Sequence, residues 1–141
     1  MNLCPCGARG DPGAQCSCSP QRVAAYRARL SRALLDRFDL VVTVPRPRGS
    51  ELQAPSGEAS ALVRARVVAA RRRLAEGPPA RAPAADKLLT RAVERVRLSG
   101  RGRAKVAAVA RTIAALADAD AVEPEHVAEA LAYRAPPELP P

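Results

Sequence analysis

Leu34-Leu35-Asp36-Arg37-Phe38-Asp39-Leu40-Val41-Val42-Thr43-Val44-Pro45 is the stretch on which the reading of this chain turns. Its first half closes a helical pattern and sets Arg37 between two acids. Its second half is a β-branched run stopped by Pro45, which cannot donate to a ladder, so Leu40–Val44 is predicted to be a short buried strand. A strand needs neighbours for its backbone groups and apolar side chains, and the rest of the sequence offers no second run of this kind. The expectation is that those neighbours lie before Met1 and that the chain is the back half of something larger.

Working outward, Ser19-Pro20 supplies an N-cap followed by proline at the first helical position. Val23, Tyr26, Leu30 and Ala33-Leu34 then recur at helical spacing, predicting a helix of about 15 residues that ends near Leu35. A polar Pro/Gly segment runs from Pro45 to Gly57. Val63, Val67, Ala70 and Leu74 mark a second helix, ended by Gly77-Pro78-Pro79, with arginines on its solvent side. Ala80–Ala85 reads as a linker. Three more helices follow: one with Leu88, Leu89, Ala92, Val93 and Val96 as its stripe, one capped by Ser99 with Val106, Val109, Ala110, Ile113, Leu116 and Ala117 inward, and one opened by Pro124 with Val127, Ala130 and Leu131 inward. Residues 136–141 read as a disordered tail. The layout is therefore mostly helical: loop, helix, strand, helix, linker, three helices.

Composition narrows the function classes. The aromatics are Tyr26, Phe38 and Tyr133 alone, so the core must be aliphatic. A net charge of +9 and a pI near 10.6 suit a polyanionic partner through phosphate neutralisation. The same arginine-rich balance arises from GC-rich coding, and the aromatic stacking platforms of single-strand binders are missing. No stretch approaches the roughly 20 apolar residues of a membrane span, nor is there a signal-peptide pattern, so the chain reads as cytoplasmic. In a reducing compartment, four cysteines in two tight pairs favour thiols or metal ligands over disulfides.

Three constellations could carry chemistry. Cys4, Cys6, Cys16 and Cys18 form two C-x-C pairs amid Gly7, Gly10 and Gly13, a pattern able to close four thiolates around structural zinc; unliganded or reactive thiols are the alternatives. Arg37, between a helix end and a strand start, can project to a neighbouring subunit's nucleotide, or can belong to a surface ion cluster with Asp36 and Asp39. Arg101 follows Ser99-Gly100 at a helix start, where free N–H groups favour phosphate; a solvated basic helix end is the alternative. His126, the single histidine, reads as a surface residue, and no G-x-x-x-x-G-K-[ST] phosphate loop occurs.

Taken in order, Met1-Asn2-Leu3-Cys4-Pro5-Cys6-Gly7, Cys16-Ser17-Cys18-Ser19-Pro20, Leu34–Leu40, Leu98-Ser99-Gly100-Arg101 and Val109-Ala110-Arg111-Thr112-Ile113-Ala114 resemble the C-terminal part of the magnesium-chelatase-like AAA+ ATPases of the ComM/YifB type, over residues 1–134. The resemblance implies an α/β remnant of an AAA+ core (last strand and helix, Cys-rich loop) over residues 1–57, followed by an all-α lid bundle over 58–135. It implies that Asn2 is the sensor-1 residue orienting water near the γ-phosphate, Arg37 the arginine finger with Asp36 beside it at the interface, and Arg101 the sensor-2 arginine of the lid. ATP and Mg²⁺ belong to the full-length assembly, a homo-oligomeric ring, expected to be a hexamer, that acts on DNA in competence and recombination.

The family's phosphate loop, acidic Mg²⁺ strand and Lon-protease-like domain all precede sensor 1. The expectation is therefore a truncated product, a pseudogene remnant or a start placed too far downstream, binding ATP weakly and hydrolysing none alone. Two other readings stay open: a stand-alone basic zinc module that binds nucleic acid, and part of a true magnesium-chelatase subunit of tetrapyrrole synthesis.

Overall fold

The computed structural model describes residues 1–134 apart from 12, 48, 54–56 and 97, and the side chain of Arg32. Its elements are α1 (Pro20–Arg27), α2 (Arg32–Leu35), α3 (Gly49–Leu52), α4 (Ser60–Glu76), β1 (Ala80–Arg81), α5 (Pro83–Val96), α6 (Gly100–Leu116), β2 (Ala121–Val122) and α7 (Pro124–Ala132). The tail read as disordered lies outside the described residues.

The core belongs to α5, α6, α7 and β2. Ala85 and Leu89 of α5 meet Val106, Ala107, Ala110 and Ala114 of α6, Val122 of β2, and Val127 and Ala130 of α7, all buried. Alanine dominates the facing stripe, so the helix backbones approach closely and the few larger side chains carry most of the burial. Leu89 is fully enclosed. Leu89→Ala is expected to cost about 2–5 kcal/mol, the lost transfer energy plus the cavity left behind, seen as a lower urea midpoint for loss of helical signal.

Helix ends follow their chemistry. The Ser19 hydroxyl accepts from Arg22 N–H at 3.3 Å, with Pro20 opening α1. The Ser99 hydroxyl accepts from Gly102 N–H at 2.9 Å at the start of α6. Gly77 closes α4, donating its N–H to the Arg73 carbonyl. At α7, Pro124 sits in the first turn, and Glu123 N–H donates to His126 Nδ1 at 2.9 Å in a reciprocal capping box. His126 is accordingly buried rather than on the surface, because its ring takes the place of the usual Glu or Gln at that position.

Several expectations give way. The helix predicted to run to Leu35 stops at Arg27 and resumes at Arg32, with Ala28–Leu30 in turns. The polar segment 45–57 contains the short α3. The linker 80–85 is instead the edge of a two-stranded parallel sheet, Ala80 opposite Ala121 and Arg81 opposite Val122, and α5 begins at Pro83. Ladders of two residues are too short for any period to show in sequence. On the stripes, Ala70 is the buried residue of α4, Val63 and Val67 being 38% exposed, and Val96 and Leu116 are also exposed.

The predicted strand Leu40–Val44 is not formed. Val41 N–H donates to the Tyr133 carbonyl at 2.8 Å, which ties the run to the end of α7 without building a ladder. Leu40, Val42 and Val44 are exposed, Val44 by 83%. The described residues place no strand beside this run, and without one its period-2 apolar face has nothing to pack against.

Candidate functional site

Two groups of residues converge at the front of the chain. The first is the cysteine loop. Gly7 N–H donates to the Cys4 carbonyl at 3.1 Å, and Gly7 and Gly10 take positive φ (80° and 85°), the backbone reversals that fold the two C-x-C pairs together. Arg27 Nε of α1 donates to the Leu3 carbonyl at 3.4 Å, holding the loop to the helix.

Cys4 Sγ lies 3.3 Å from Cys6 Sγ and 3.6 Å from Cys16 Sγ, and Cys6 Sγ lies 3.7 Å from Cys16 Sγ. All four sulfurs, Cys18 included, fall within 4.8 Å of one another, and none is in a disulfide. Thiolates about 2.3 Å from a tetrahedral zinc would stand about 3.8 Å apart, so the cage has the right size for one ion.

Its electrostatics agree. Burial opposes ionisation of Cys4, but the Arg9 N–H bond, the Cys6 and Cys16 thiols and Gly7 N–H outweigh it and bring its pKa down to about 6. At Cys16 a backbone bond from Cys18 is overcome by burial and by the neighbouring sulfurs, which push it up to about 11, and Cys18 is also raised. Four thiols within 4.8 Å of one another cannot all ionise without mutual repulsion, which a bound cation would relieve.

The second group surrounds Arg37. The Arg37 side chain is exposed and donates from Nη1 to the Ala33 carbonyl at 2.8 Å. The surface ion cluster offered as its alternative is not what the acids make. The Asp36 carboxylate accepts from Ser99 Oγ at 2.7 Å and from Arg134 Nη2 at 2.5 Å, and Asp39 accepts from Lys105 Nζ at 2.6 Å. Both acids thus pair with the helical part of the chain, and Arg37 between them is exposed and pairs with neither.

The Ser99 bond, then the Arg134 and Arg101 charges, hold the Asp36 carboxyl below the usual carboxylate range against the cost of burial. For a lowered carboxylate the stabilisation is complete above its unfolded pKa of about 3.9 and is lost as pH falls through the lower folded value. On acid titration this attachment is therefore expected to persist below the usual carboxylate range. Asp36→Asn should remove that component from the acid-unfolding curve.

The remaining sequence candidates are placed apart. Asn2 is exposed and lines an open cavity of about 950 Å³ with Leu35, Phe38 and Val42, its amide against Gly7. Arg101 is exposed in the first turn of α6, close enough to Asp36 to lower its pKa. Sequence reasoning missed Arg134 and the pairing of Asp36 with Ser99, partners 98 and 63 residues away with no local signal. No helix among the described residues is long and apolar enough to cross a membrane.

Together these features define a helical module fronted by a cysteine-caged loop, with Arg37 exposed just past α2. Residues 1–52 match the family described as magnesium chelatase, subunit ChlI, and residues 76–134 match its C-terminal family. The protein YifB of Salmonella typhimurium is 34% identical over 135 residues, covering 84% of this chain and 27% of its own length. Competence protein ComM of Haemophilus influenzae is 35% identical over 134 residues (83% and 26%), and an uncharacterized Mycobacterium tuberculosis protein 35% over 152 (94% and 30%). The chain belongs to the magnesium-chelatase-like family, of the ComM/YifB type, and spans less than a third of the length of these relatives.

Proposed function

We propose that this chain forms the sensor, finger and lid portion of a ring-shaped AAA+ ATPase, with residues 58–134 as the lid. The observation that carries the reading is the arrangement at Arg37: Asp36 and Asp39 pair with Arg134 and Lys105, while the exposed guanidinium of Arg37 is held only by a hydrogen bond to the Ala33 carbonyl and pairs with neither acid. In a ring, such a group reaches the nucleotide of the adjacent subunit and stabilises charge on the transferring phosphoryl group. Arg101, at a helix start where backbone N–H groups already favour anions, would act on the nucleotide of its own subunit. Asn2 would orient the attacking water.

Leu40–Val44 would be the last strand of the nucleotide-binding sheet. The exposed Leu40, Val42 and Val44, beside the open cavity, are the surface such a sheet would cover. ATP and Mg²⁺ are the ligands this reading requires, a hexamer is the ring it favours, and competence is suggested by the name of the Haemophilus relative. DNA suits the net charge of +9. On α4, Arg66 pairs with Glu58, Arg72 with Glu76 and Arg73 with Asp118, while Arg64 and Arg71 are exposed.

The cysteine cage is proposed to bind structural Zn²⁺. Cys4, Cys6, Cys16 and Cys18 would supply all four ligands, leaving no open position for catalysis. Zinc here would fix the segment that bears Asn2.

The test of the ATPase reading is a chimera in which residues 1–134 replace the matching part of a full-length ComM-type relative. It should assemble and hydrolyse ATP. A chimera that assembles and binds ATP but shows no turnover would refute the assignment.

A further inference from the structure

The carbonyls on either side of Arg37 are gripped by one guanidinium from the far end of the sequence. Arg134 Nη2 donates to the Asp36 carbonyl at 3.0 Å and to Asp36 Oδ1 at 2.5 Å, and Arg134 Nη1 donates to the Phe38 carbonyl. The Arg134 side chain is 8% exposed, whereas Arg37 between those two contacts is exposed. The planar fork suits this task, because its donors lie in one rigid plane and can hold two backbone acceptors and a carboxylate together. A lysine in its place would offer charge without the fork.

The grip is shared with the start of α6. Ser99 Oγ accepts from Gly102 N–H and donates to Asp36 Oδ2 at 2.7 Å, so one hydroxyl caps the helix and holds the acid. A Cβ at Gly102 would stand 3.4 Å from both Arg134 Nη2 and Ser99 Oγ, which shows how closely the three elements meet. Arg101 follows directly on this cap. Two further ties run parallel: Lys105 to Asp39, and Val41 N–H to the Tyr133 carbonyl.

We propose that Arg134 is a positioning residue: it fixes the Asp36–Phe38 backbone so that Arg37 is presented in one orientation, and, with Ser99, couples that orientation to α6, the helix that Ser99 caps. The proposal rests on Arg37 acting as the finger. Its consequence is that movement of the lid over one nucleotide shifts the arginine offered to the next, through a contact within a single chain.

The experiment has two arms. In the 141-residue chain, Arg134→Ala should raise tryptic cleavage after Arg37 by about tenfold or more, since cleavage follows the population of the opened segment. It should also speed amide exchange at Phe38–Val41 while Leu89 and Val106 keep their protection. Unchanged cleavage and exchange at 36–41 would overturn the proposal, as would an equal loss of protection throughout α5–α7. Arg134→Lys, which keeps charge and length but not the fork, guards against general unfolding and must give the same local rise.

In the ATPase chimera, Arg134→Ala should lower kcat with KM for ATP held within about twofold, the mark of a group that acts on the transition state of a bound substrate. A raised KM with unchanged kcat would count against it. The two readings fail separately. If Arg37→Ala leaves turnover intact, the finger falls while the exchange result stands; if exchange is unmoved and Arg37→Ala abolishes turnover, only the role of Arg134 falls.

Discussion

Arg37→Ala, made in the ATPase chimera, is expected to lower ATP turnover by about 10³-fold or more while nucleotide binding survives. The size follows from what the side chain is free to do. An arginine spent on an internal ion pair could be removed at the cost of some stability and little else. Arg37 makes no ion pair among the described residues, its one hydrogen bond is to the last turn before it, and its acidic neighbours are engaged elsewhere. Its loss should therefore leave the melting of the chain almost unchanged, in contrast to Leu89→Ala. Arg37→Lys should rescue poorly, because an ammonium cannot reproduce a fork across two phosphoryl oxygens. Mixed rings give the sharper result: a subunit lacking the finger but able to bind ATP should silence its neighbour's site, not its own. Turnover within a few-fold of the parent in Arg37→Ala would reject the finger assignment.

The parts of this structure that were legible in the sequence are those governed by contacts a few residues long. Ser19-Pro20, Ser99, Gly77 and Pro124 each announce a helix end through a hydroxyl, a missing N–H or a missing side chain, and each end falls where that chemistry puts it. The clustering of Cys4, Cys6, Cys16 and Cys18 was likewise readable, since glycines between paired thiols leave few other ways to fold. What could not be read depends on distant partners. Leu40–Val44 has the pattern of a strand, but a strand exists through its neighbours, and the described residues place none beside it. The β1–β2 pair is too short to leave a pattern. His126 looked exposed because it stands next to Glu125 near a helix start, where its ring in fact closes the cap from within. Proximity in sequence grouped Asp36 and Asp39 with Arg37, whereas Asp36 pairs with Arg134 just past α7 and Asp39 with Lys105 of α6. The family was legible as an order of motifs. The arrangement that presents Arg37 was not.

Cys4→Ser is expected to abolish metal binding and to loosen residues 1–18 as a unit, the second large effect. Cys4 is fully enclosed and its sulfur contacts Cys6, Cys16 and Arg9 N–H, so it is the innermost corner of the cage. Purified from zinc-containing medium, the parent chain should carry one equivalent of Zn²⁺. Replacement by Co²⁺ should give the strong near-ultraviolet thiolate charge-transfer band and visible bands of a tetrahedral four-sulfur site. Because all ligands must be deprotonated, affinity should fall steeply with acid, and the protons released on binding can be counted. Chelation should expose four thiols to a disulfide reagent and free Leu3 from Arg27, with the α5–α7 core unaffected, since that core shares no residue with the cage. Serine at position 4 keeps the volume but replaces a soft thiolate by a hydroxyl that stays protonated at neutral pH. Serine at the exposed Cys6 should weaken the metal less, because water can fill an outer corner but not the buried one. A chain that is metal-free after zinc-replete expression, shows four titratable thiols from the outset and binds no Co²⁺ would end the proposal, and would leave the closely spaced sulfurs as a thiol cluster held by backbone turns alone.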